Sequence, residues 1–174
     1  GTPAQLSTLL GVGATLTAAP GFTGFNGDET ITLTGTVTAA DANAAAAATT
    51  GVVTANLGTL TLAQTASLTP TDNAYTITLS DTSATAAALN TLDGKTTVAV
   101  NAQSVTTLTG AVADVKTAIA SSGLTMATNY AATLTDASVS VADANIVDAD
   151  TTGVVTATLT ERDMTALGLS LIHI

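Results

Sequence analysis

An internal repeat is the feature that most constrains how this chain can fold. The segment TVTAADANAAAAATTGVVTANL (residues 36–57) returns as SVSVADANIVDADTTGVVTATL (residues 138–159), with 14 of 22 positions identical and no gap. A weaker copy lies between them, where residues 75–97 match residues 130–152. A threonine pair marks each copy: Thr49–Thr50, Thr96–Thr97 and Thr151–Thr152. A period of about 50 residues is typical of repeat proteins, whose units bury their apolar faces against one another.

The sequence of each repeat predicts the order strand, helix, strand, helix. The first strand is an alternating segment and the first helix is Ala-rich. The second strand is Val-containing and follows the threonine pair, and the second helix comes after it. The predicted first strands are Thr30–Thr36, Tyr75–Ser80 and Ala131–Thr135. The predicted first helices are Ala39–Ala48, Ala84–Leu92 and Val141–Ala149. The predicted second strands are Val52–Leu57, Val98–Ala102 and Val154–Leu159. The predicted second helices are Leu62–Leu68, Ala111–Ser121 and Glu161–Leu167, and Pro3–Leu10 is expected to be a helix of a preceding unit.

This periodicity divides the chain into five parts. We expect residues 1–29 to be the end of a preceding, truncated repeat and a loop. Residues 30–74 and 75–129 form the first two repeats, and residues 130–168 form an incomplete third. Residues 169–174 read LSLIHI, which resembles the translated read-through of a sequencing adapter. We therefore expect this tail, with the single histidine of the chain, to be non-native and without functional meaning.

The order of elements predicts a particular α/β architecture. Strands that alternate with short helices predict parallel strands joined by right-handed crossovers. Strand residues alternate, with Ile31 and Leu33 on one face, whereas a sheet covered on both faces carries continuous apolar runs. The sequence therefore predicts a repetitive solenoid with leucine-rich-repeat-like architecture, whose other sheet face is Thr-rich and exposed. A compact α/β domain with unequal coverage of its sheet is the alternative.

The charge composition argues against several classes of partner. Three strong bases stand against 13 carboxylates, which gives a net charge of −10. Nucleic acids and anionic membrane surfaces both require Lys and Arg, so neither is an expected partner. No apolar run approaches the roughly 18 residues of a transmembrane helix, so we expect no membrane insertion. The chain has no cysteine, which excludes disulfides and thiolate metal sites.

Three long runs carry a resemblance to a known class of protein: ADANAAAAATTGVVTA, YTITLSDTSATAAALNTLDGKTT and VTTLTGAVADVKTAIASSGL. They resemble the Thr/Ala/Asp-rich tandem repeats of very large secreted or surface proteins of marine bacteria, cyanobacteria especially. The resemblance covers about residues 30–167. It implies an extracellular or cell-surface location, a structural or adhesive role, and partners among neighbouring repeats and cell-surface or matrix ligands. The resemblance does not identify any catalytic or binding residues in this chain.

Few side chains are suited to catalysis. Without cysteine and without a native histidine, the common nucleophile–base pairs cannot form. Asp148 and Asp150 could serve as a carboxylate pair acting on a polysaccharide, but Ala46 and Ala48 replace them in the first copy. We therefore expect a non-enzyme that needs no cofactor, with calcium as the one ligand left open.

Acidic residues in predicted turns raise the question of calcium, which prefers oxygen ligands in loops. The candidate ligands are Asp28, Glu29, Asp72, Asp148 and Asp150. None of their segments matches an EF-hand loop, and Asx turns or solvated charges are the favoured explanation of them. Asp41 and Asp143 follow Thr38 and Ser140 by three residues, which predicts helix capping boxes rather than metal ligation. We expect Asp136, at the end of a strand, to bond the backbone of the next turn.

The repeated Thr-x-Thr pattern suggests a further alternative. A regular array of threonine hydroxyls on a parallel sheet could bind ice or another ordered surface, although threonine also favours strands for ordinary reasons. The leading expectation is a non-enzymatic structural or adhesive repeat segment of a large extracellular bacterial protein. The alternatives are a calcium-dependent binding module and an ice- or surface-binding solenoid.

Overall fold

The structure is a computed structural model, which describes the backbone of residues 14–17 together with residues 27–69 and 72–160. The strands of this described part are β1 (Ala14–Thr17), β2 (Thr30–Thr36), β3 (Val53–Leu60), β4 (Ala74–Leu79), β5 (Ser83–Thr85), β6 (Val100–Ala102), β7 (Thr107–Gly110), β8 (Leu124–Met126), β9 (Ala131–Leu134) and β10 (Val155–Thr156). Its helices are α1 (Ala39–Ala48), α2 (Leu62–Thr65), α3 (Ala86–Asp93), α4 (Val112–Ala120) and α5 (Val141–Asp150).

The chain folds as two compact units, of which unit 1 is Gly1–Leu79 with Leu92–Val100. In unit 1, β1, β2, β3 and β4 are neighbours in that order. The strands β2, β3 and β4 are parallel, with Ile31 opposite Val53 and Ala55 opposite Tyr75. β2 and β3 therefore each pair with the strand that follows them in the sequence. β1 runs antiparallel to β2.

Unit 2 comprises Ser80–Thr91 with Asn101–Ile174. Its sheet has the order β5, β7, β9, β10, and every pair in it is parallel. Ser83 lies opposite Thr107, and Thr107 lies opposite Ala131, so the same register step separates both pairs of strands. A helix lies in each connection between successive strands of this sheet, as parallel pairing requires. The short strands β6 and β8 are neighbours.

Strand residues alternate between a buried and an exposed side. In β4, Tyr75 and Ile77 are at most 1% exposed, whereas Thr76 between them is exposed. The helices bury small side chains, since Ala42 and Ala45 of α1 are both fully buried. Such small side chains let α1 lie close to β3, which it contacts. A thin core of this kind explains how a chain with 2% aromatic residues can still bury its strands.

The predicted α/β class, with parallel strands and short helices, is confirmed. α1 spans the predicted residues, and its capping box forms between Thr38 and Asp41. The sequence pattern does not reveal β1, β5, β7 or β8, which are three or four residues long and carry too few alternations to signal a strand. Paired strands of unit 2 lie 24 residues apart, which is about half the length of the sequence repeat and agrees with the prediction of more than one strand in each repeat.

Some predicted segments lie outside the described residues. They are the helices Pro3–Leu10 and Glu161–Leu167 and the tail at residues 169–174. Within the described ranges, none of the helices has the length and apolar character needed to cross a membrane.

Candidate functional site

Three of the acidic residues considered as calcium ligands lie in unit 1. Asp28 is exposed, whereas Glu29 is 6% exposed and its Oε2 accepts a hydrogen bond from the Gly27 N–H at 3.0 Å. Asp72 is exposed and lines a cavity of about 300 Å³ together with Thr50 and Asn73. Glu29 is thus held by its own loop, while Asp28 and Asp72 face solvent.

The other two candidates, Asp148 and Asp150, lie at the end of α5 in unit 2. They are two positions apart on a helix, so their side chains do not face each other and cannot flank one scissile bond. The Tyr130 hydroxyl donates to Asp150 Oδ2 at 2.7 Å. Burial of Tyr130, followed by its bond to the Asp150 carboxylate, raises the pKa of the tyrosine hydroxyl. Asp150 also lines a cavity of about 170 Å³ with Met126 and Thr128.

These carboxylates do not assemble into a metal centre in the part of the chain that the structure describes. No group of three or more His, Cys, Asp or Glu side chains there could hold a metal ion. Calcium prefers six to eight oxygen ligands, so a site here would need main-chain carbonyls and water to supply most of them. The calcium site therefore stays a prediction.

The recurrent Asp41 and Asp143 act as capping residues. The Asp41 N–H donates to Thr38 Oγ1 at 3.2 Å, and Asp41 Oδ2 accepts from the Thr38 N–H at 3.1 Å. The Asp143 N–H donates in the same way to Ser140 Oγ at 3.1 Å. The Lys116 ammonium, and then the Ser140 hydroxyl, hold the pKa of the Asp143 carboxyl below its usual range. The predicted capping box at Asp41 is confirmed. At the start of α5 the Ser140 side chain caps the helix, and the Asp143 carboxylate accepts from the Ser140 hydroxyl at 2.8 Å.

Asp136 caps a helix that lies earlier in the sequence. Its Oδ2 accepts from the Val112 N–H at 2.6 Å, 24 residues towards the N terminus. Val112 is the first residue of α4, whose own N-cap, Ala111, makes no side-chain cap bond. Asp136, which lies just after the end of β9, therefore supplies the missing acceptor to α4, rather than bonding the turn that follows it as predicted.

The threonine pairs are the feature that recurs with the same geometry in all three repeats, and we call each pair a threonine step. In each step the first hydroxyl donates to a backbone carbonyl 20 or 21 residues earlier, at 2.6 to 2.8 Å. The donors are Thr49, Thr96 and Thr151, and the acceptors are the carbonyls of Glu29, Tyr75 and Tyr130. The same hydroxyl accepts from the N–H two residues later, at 2.9 to 3.2 Å.

The second threonine of each step also bonds the backbone of an earlier segment, and we call these hydrogen bonds of both threonines backbone ties. Its N–H donates to a carbonyl in the previous strand connection, at 2.6 to 2.9 Å: Thr50 to Gly27, Thr97 to Asn73 and Thr152 to Thr128. A glycine directly follows two of the steps, Gly51 in the first repeat and Gly153 in the third. A Cβ at Gly153 would lie 2.2 Å from the Tyr130 oxygen, and one at Gly51 would lie 2.5 Å from the Glu29 oxygen. Glycine is needed here because two backbone segments approach too closely for a side chain.

A row of threonines crosses the sheet of unit 2. Thr85 lies opposite Thr109, and Thr133 lies opposite both Thr109 and Thr156. Thr109 is half-buried and the other three are exposed. Adjacent strands are about 4.8 Å apart, so this threonine row presents hydroxyl and methyl groups at a regular interval.

Two buried polar side chains give no signal in the sequence. Lys95 is 8% exposed, and its Nζ donates to the carbonyls of Thr65 and Ala66 at 3.1 and 2.9 Å. It satisfies carbonyls at the end of α2, where a positive charge is favourable. Asn73 is 4% exposed, and its Oδ1 accepts from the Val53 N–H at 2.7 Å. From the sequence alone, a lysine or an asparagine beside a turn is expected to be solvated. The buried positions of Lys95 and Asn73 become evident only from their partners, which are distant in the sequence.

The described residues therefore combine backbone ties that recur along the chain with an exposed threonine surface. The carboxylates of Asp41 and Asp136 cap helices, that of Asp143 pairs with Lys116 and accepts from the Ser140 hydroxyl, and that of Asp150 accepts from Tyr130. Comparisons with protein-family models, with curated proteins and with solved structures find no match for this chain.

Proposed function

We propose that this chain is a non-enzymatic structural and adhesive repeat segment of a large extracellular bacterial protein, built as a solenoid. One coil occupies about 24 residues, which is within the usual range of solenoid repeats, and two coils make up one sequence repeat. The carrying observation is the threonine step, because the same two residues make the same backbone ties in all three repeats. A bond that recurs at every repeat maintains a periodic scaffold, whereas a catalytic centre needs a single special place.

The strand pairing within each unit supports this proposal. Among the described strands of unit 2, each member of the sheet pairs with the member that follows it in the sequence, at a nearly constant register step. In a doubly wound domain, successive strands are instead added first on one side of the sheet and then on the other, so the strand order reverses at a switch point. Sequential order with a constant step is the topology by which a solenoid grows.

The exposed chemistry supports a passive scaffold as well. The side chains between the buried strand residues are mainly hydroxyl groups, such as Thr54, Thr76 and Thr133, which are all exposed. Hydroxyls neither titrate near neutral pH nor attract a strongly charged ligand. Such a surface suits a spacer, or adhesion through many weak contacts.

Inserting coils into unit 2 tests this architecture. Two further copies of residues 107–130, placed after Tyr130, would continue the same register step: β7 would pair with the strand of the first copy, and the strand of the second copy would pair with β9. A solenoid should then lengthen by about 10 Å in small-angle X-ray scattering, because each added strand contributes about 4.8 Å. Its circular dichroism per residue should stay the same. Loss of cooperative unfolding would instead favour the compact α/β domain, and turnover on a panel of polysaccharides would refute the non-enzymatic assignment.

The threonine row favours a second candidate, a solenoid that binds ice or another ordered surface. Four in-register threonines provide hydroxyls at a fixed spacing, which an ordered lattice could match. Thermal hysteresis of the full chain, compared with Thr133→Lys, tests this candidate. Thr117→Lys is the matched control, because Thr117 is exposed on α4, away from the row. Hysteresis that Thr133→Lys abolishes and Thr117→Lys preserves would support the candidate, and absence of hysteresis would eliminate it.

A further inference from the structure

The strand β1 departs from the pairing pattern of the other described strands of unit 1. The pairs β2–β3 and β3–β4 are parallel, whereas β1 pairs with β2 in the antiparallel direction. Coils that repeat the same connection place their strands parallel to one another, as Ile31 and its partner Val53 show at a separation of 22 residues. On the other side of Ile31 lies Leu16, only 15 residues away and on a strand of opposite direction. β1 therefore fills the place beside β2 that the strand of another coil would take.

The hydrogen bonds of β2 show which of its residues depend on β1. The Ile31 N–H donates to the Val52 carbonyl at 3.0 Å, so the backbone groups of Ile31 face β3. Backbone groups of successive strand residues point to opposite sides, so those of Thr30 and Thr32 face β1. The register places these two residues opposite Thr17 and Thr15. Without β1, their N–H and carbonyl groups would form an open edge.

The sequence of β2 makes an open edge hazardous. β2 is the seven-residue strand TITLTGT, which has no charged residue and no proline. Ile31 and Leu33 are buried and alternate with threonines, which is the composition of a strand that pairs readily. Natural sheets protect such edges with charges, prolines, irregularities or a covering segment. An uncovered β2 would be a template for the same strand of another molecule.

β1 covers the part of β2 that has no other protection. The pairing with β1 runs from Thr30 to Leu33. Over the rest of the strand the register against β3 shifts, between Thr32 and Thr36, and Gly35 has a positive φ of 79°. An irregular stretch is a poor template, because its N–H and carbonyl groups leave the regular spacing of a strand. The regular half of this edge is thus covered by β1, and the other half is protected by its own irregularity.

We propose that β1 is a capping strand, which closes the β2 edge of unit 1 against pairing with the same edge of a second copy of this chain. On this proposal residues 14–17 end the sheet, and the parallel strands of unit 1 do not continue past β2. The proposal goes beyond the scaffold function and does not depend on it, because it uses only the pairing of β1, β2 and β3.

Proline substitutions test the cap, because proline has no backbone N–H. Thr15→Pro deletes the N–H that faces Thr32 and sets the proline ring in its place, so β1 should no longer pair with β2. Ala14→Pro is the matched control, because Ala14 lies opposite Leu33 and its N–H faces away from β2. Both changes are made in the full chain. Amide hydrogen exchange followed by NMR reports the pairing of single residues, and sedimentation velocity over a range of concentrations reports self-association.

We expect the Thr32 amide to be protected from exchange in the original chain and in Ala14→Pro. In Thr15→Pro its exchange should be at least about 10-fold faster, as expected for the loss of one or two hydrogen bonds. The Ile31 amide, which bonds towards β3, should stay protected and so show that the sheet remains folded. Thr15→Pro should also self-associate at least about 10-fold more tightly than the other two proteins, because the regular half of its β2 edge is open.

Two results would overturn the cap. Rapid exchange of the Thr32 amide in the original chain would show that β1 does not pair with β2. Unchanged self-association of Thr15→Pro, once the Thr32 amide is released, would show that the edge needs no cover. Neither result affects the solenoid, which the insertion of coils into unit 2 tests separately.

A second variant covers the case in which Thr15→Pro disrupts more than the cap. Release of the Ile31 amide in Thr15→Pro would mean that the sheet itself has come apart. Thr17→Pro then takes its place, because it removes only the N–H at the end of the pair, opposite Thr30. The Thr30 amide replaces that of Thr32 as the reporter, and the same two results decide for or against the cap.

Discussion

At the scale of single residues, the Thr96 hydroxyl takes part in three hydrogen bonds. It donates to the Tyr75 carbonyl at 2.8 Å and accepts from the N–H groups of Tyr75 and Val98 at 2.8 and 3.2 Å. A hydroxyl has one proton and two lone pairs, so these three bonds use its full capacity. Thr96 is 9% exposed, and water can do little to replace them.

We predict that Thr96→Val destabilises the protein by about 2–3 kcal/mol, because the carbonyl and N–H groups that it leaves unpaired lie in a buried place. Valine has nearly the same shape as threonine, so packing should change little. Chemical denaturation of both proteins measures the change in the free energy of unfolding. Thr125→Val in β8 is the control, because Thr125 is exposed and should change stability by only a few tenths of a kcal/mol. Equal effects of the two substitutions would contradict the role given to the threonine step.

A second prediction at this scale concerns Tyr130 and alkaline pH. Its pKa is raised in the folded protein, by burial and then by the Asp150 carboxylate, so the folded state keeps the proton longer than the unfolded chain. The stabilisation is complete below the unfolded pKa of about 10 and is lost as pH rises above it. We expect the free energy of unfolding to fall from about pH 9 to about pH 11, and to fall less steeply in Tyr130→Phe. Parallel pH profiles for the two proteins would disprove this.

At the scale of secondary-structure elements, α4 depends on a cap that its own sequence lacks. Asp136 supplies the acceptor for the Val112 N–H, and its negative charge also favours the helix N-terminus. We predict that Asp136→Ala costs about 1 kcal/mol and that Asp136→Asn, which keeps an acceptor oxygen, costs less. Thermal and chemical denaturation would measure both.

Asp114→Ala is the control for this cap, because it removes a carboxylate from the first turn of the same helix. We expect it to cost only a few tenths of a kcal/mol, the usual contribution of a first-turn charge. If Asp114→Ala and Asp136→Ala have the same effect, then the helix responds to charge alone and the hydrogen bond to Val112 contributes nothing.

The elements also show what can be predicted from sequence and what cannot. Thr30–Thr36 and Ala39–Ala48 agree with prediction because alternation and a capping box are local signals. β5 and β7 are too short to show alternation, and the partner of Asp136 lies 24 residues away. Local pattern therefore indicates the longer elements and their faces, whereas very short strands and distant caps depend on contacts that a linear pattern does not contain.

The candidate site follows the same rule. Capping by Asp41 was predictable, because both partners lie within four residues of each other. The roles of Lys95 and Asn73 were not, since their partners lie at least 20 residues away. The threonine pairs were visible as a repeated sequence, but their sequence gave no indication that their hydroxyls tie one strand connection to the previous one.

At the scale of the whole molecule, the net charge of −10 makes calcium the natural ion to test. The carboxylates of the described residues form no cluster of three, so the scaffold proposal predicts the same melting temperature in calcium and in chelator. Circular dichroism of the full chain measures this, and magnesium at the same concentration controls for general screening of charge. A rise specific to calcium would revive the calcium-binding alternative, because a ligand that binds only the folded state raises its melting temperature.

The direction of the threonine ties has a consequence for how such a chain is made. The hydroxyls of every step donate to carbonyls that lie nearer the N terminus, so these bonds need nothing that is synthesised later. Closing a loop as short as one coil costs little entropy, and such short-range contacts form quickly. At about 5–20 residues per second, a ribosome would release one coil in roughly 1–5 s. If the chain is the proposed solenoid, it can therefore fold behind the ribosome coil by coil, with little more than its newest coil left exposed.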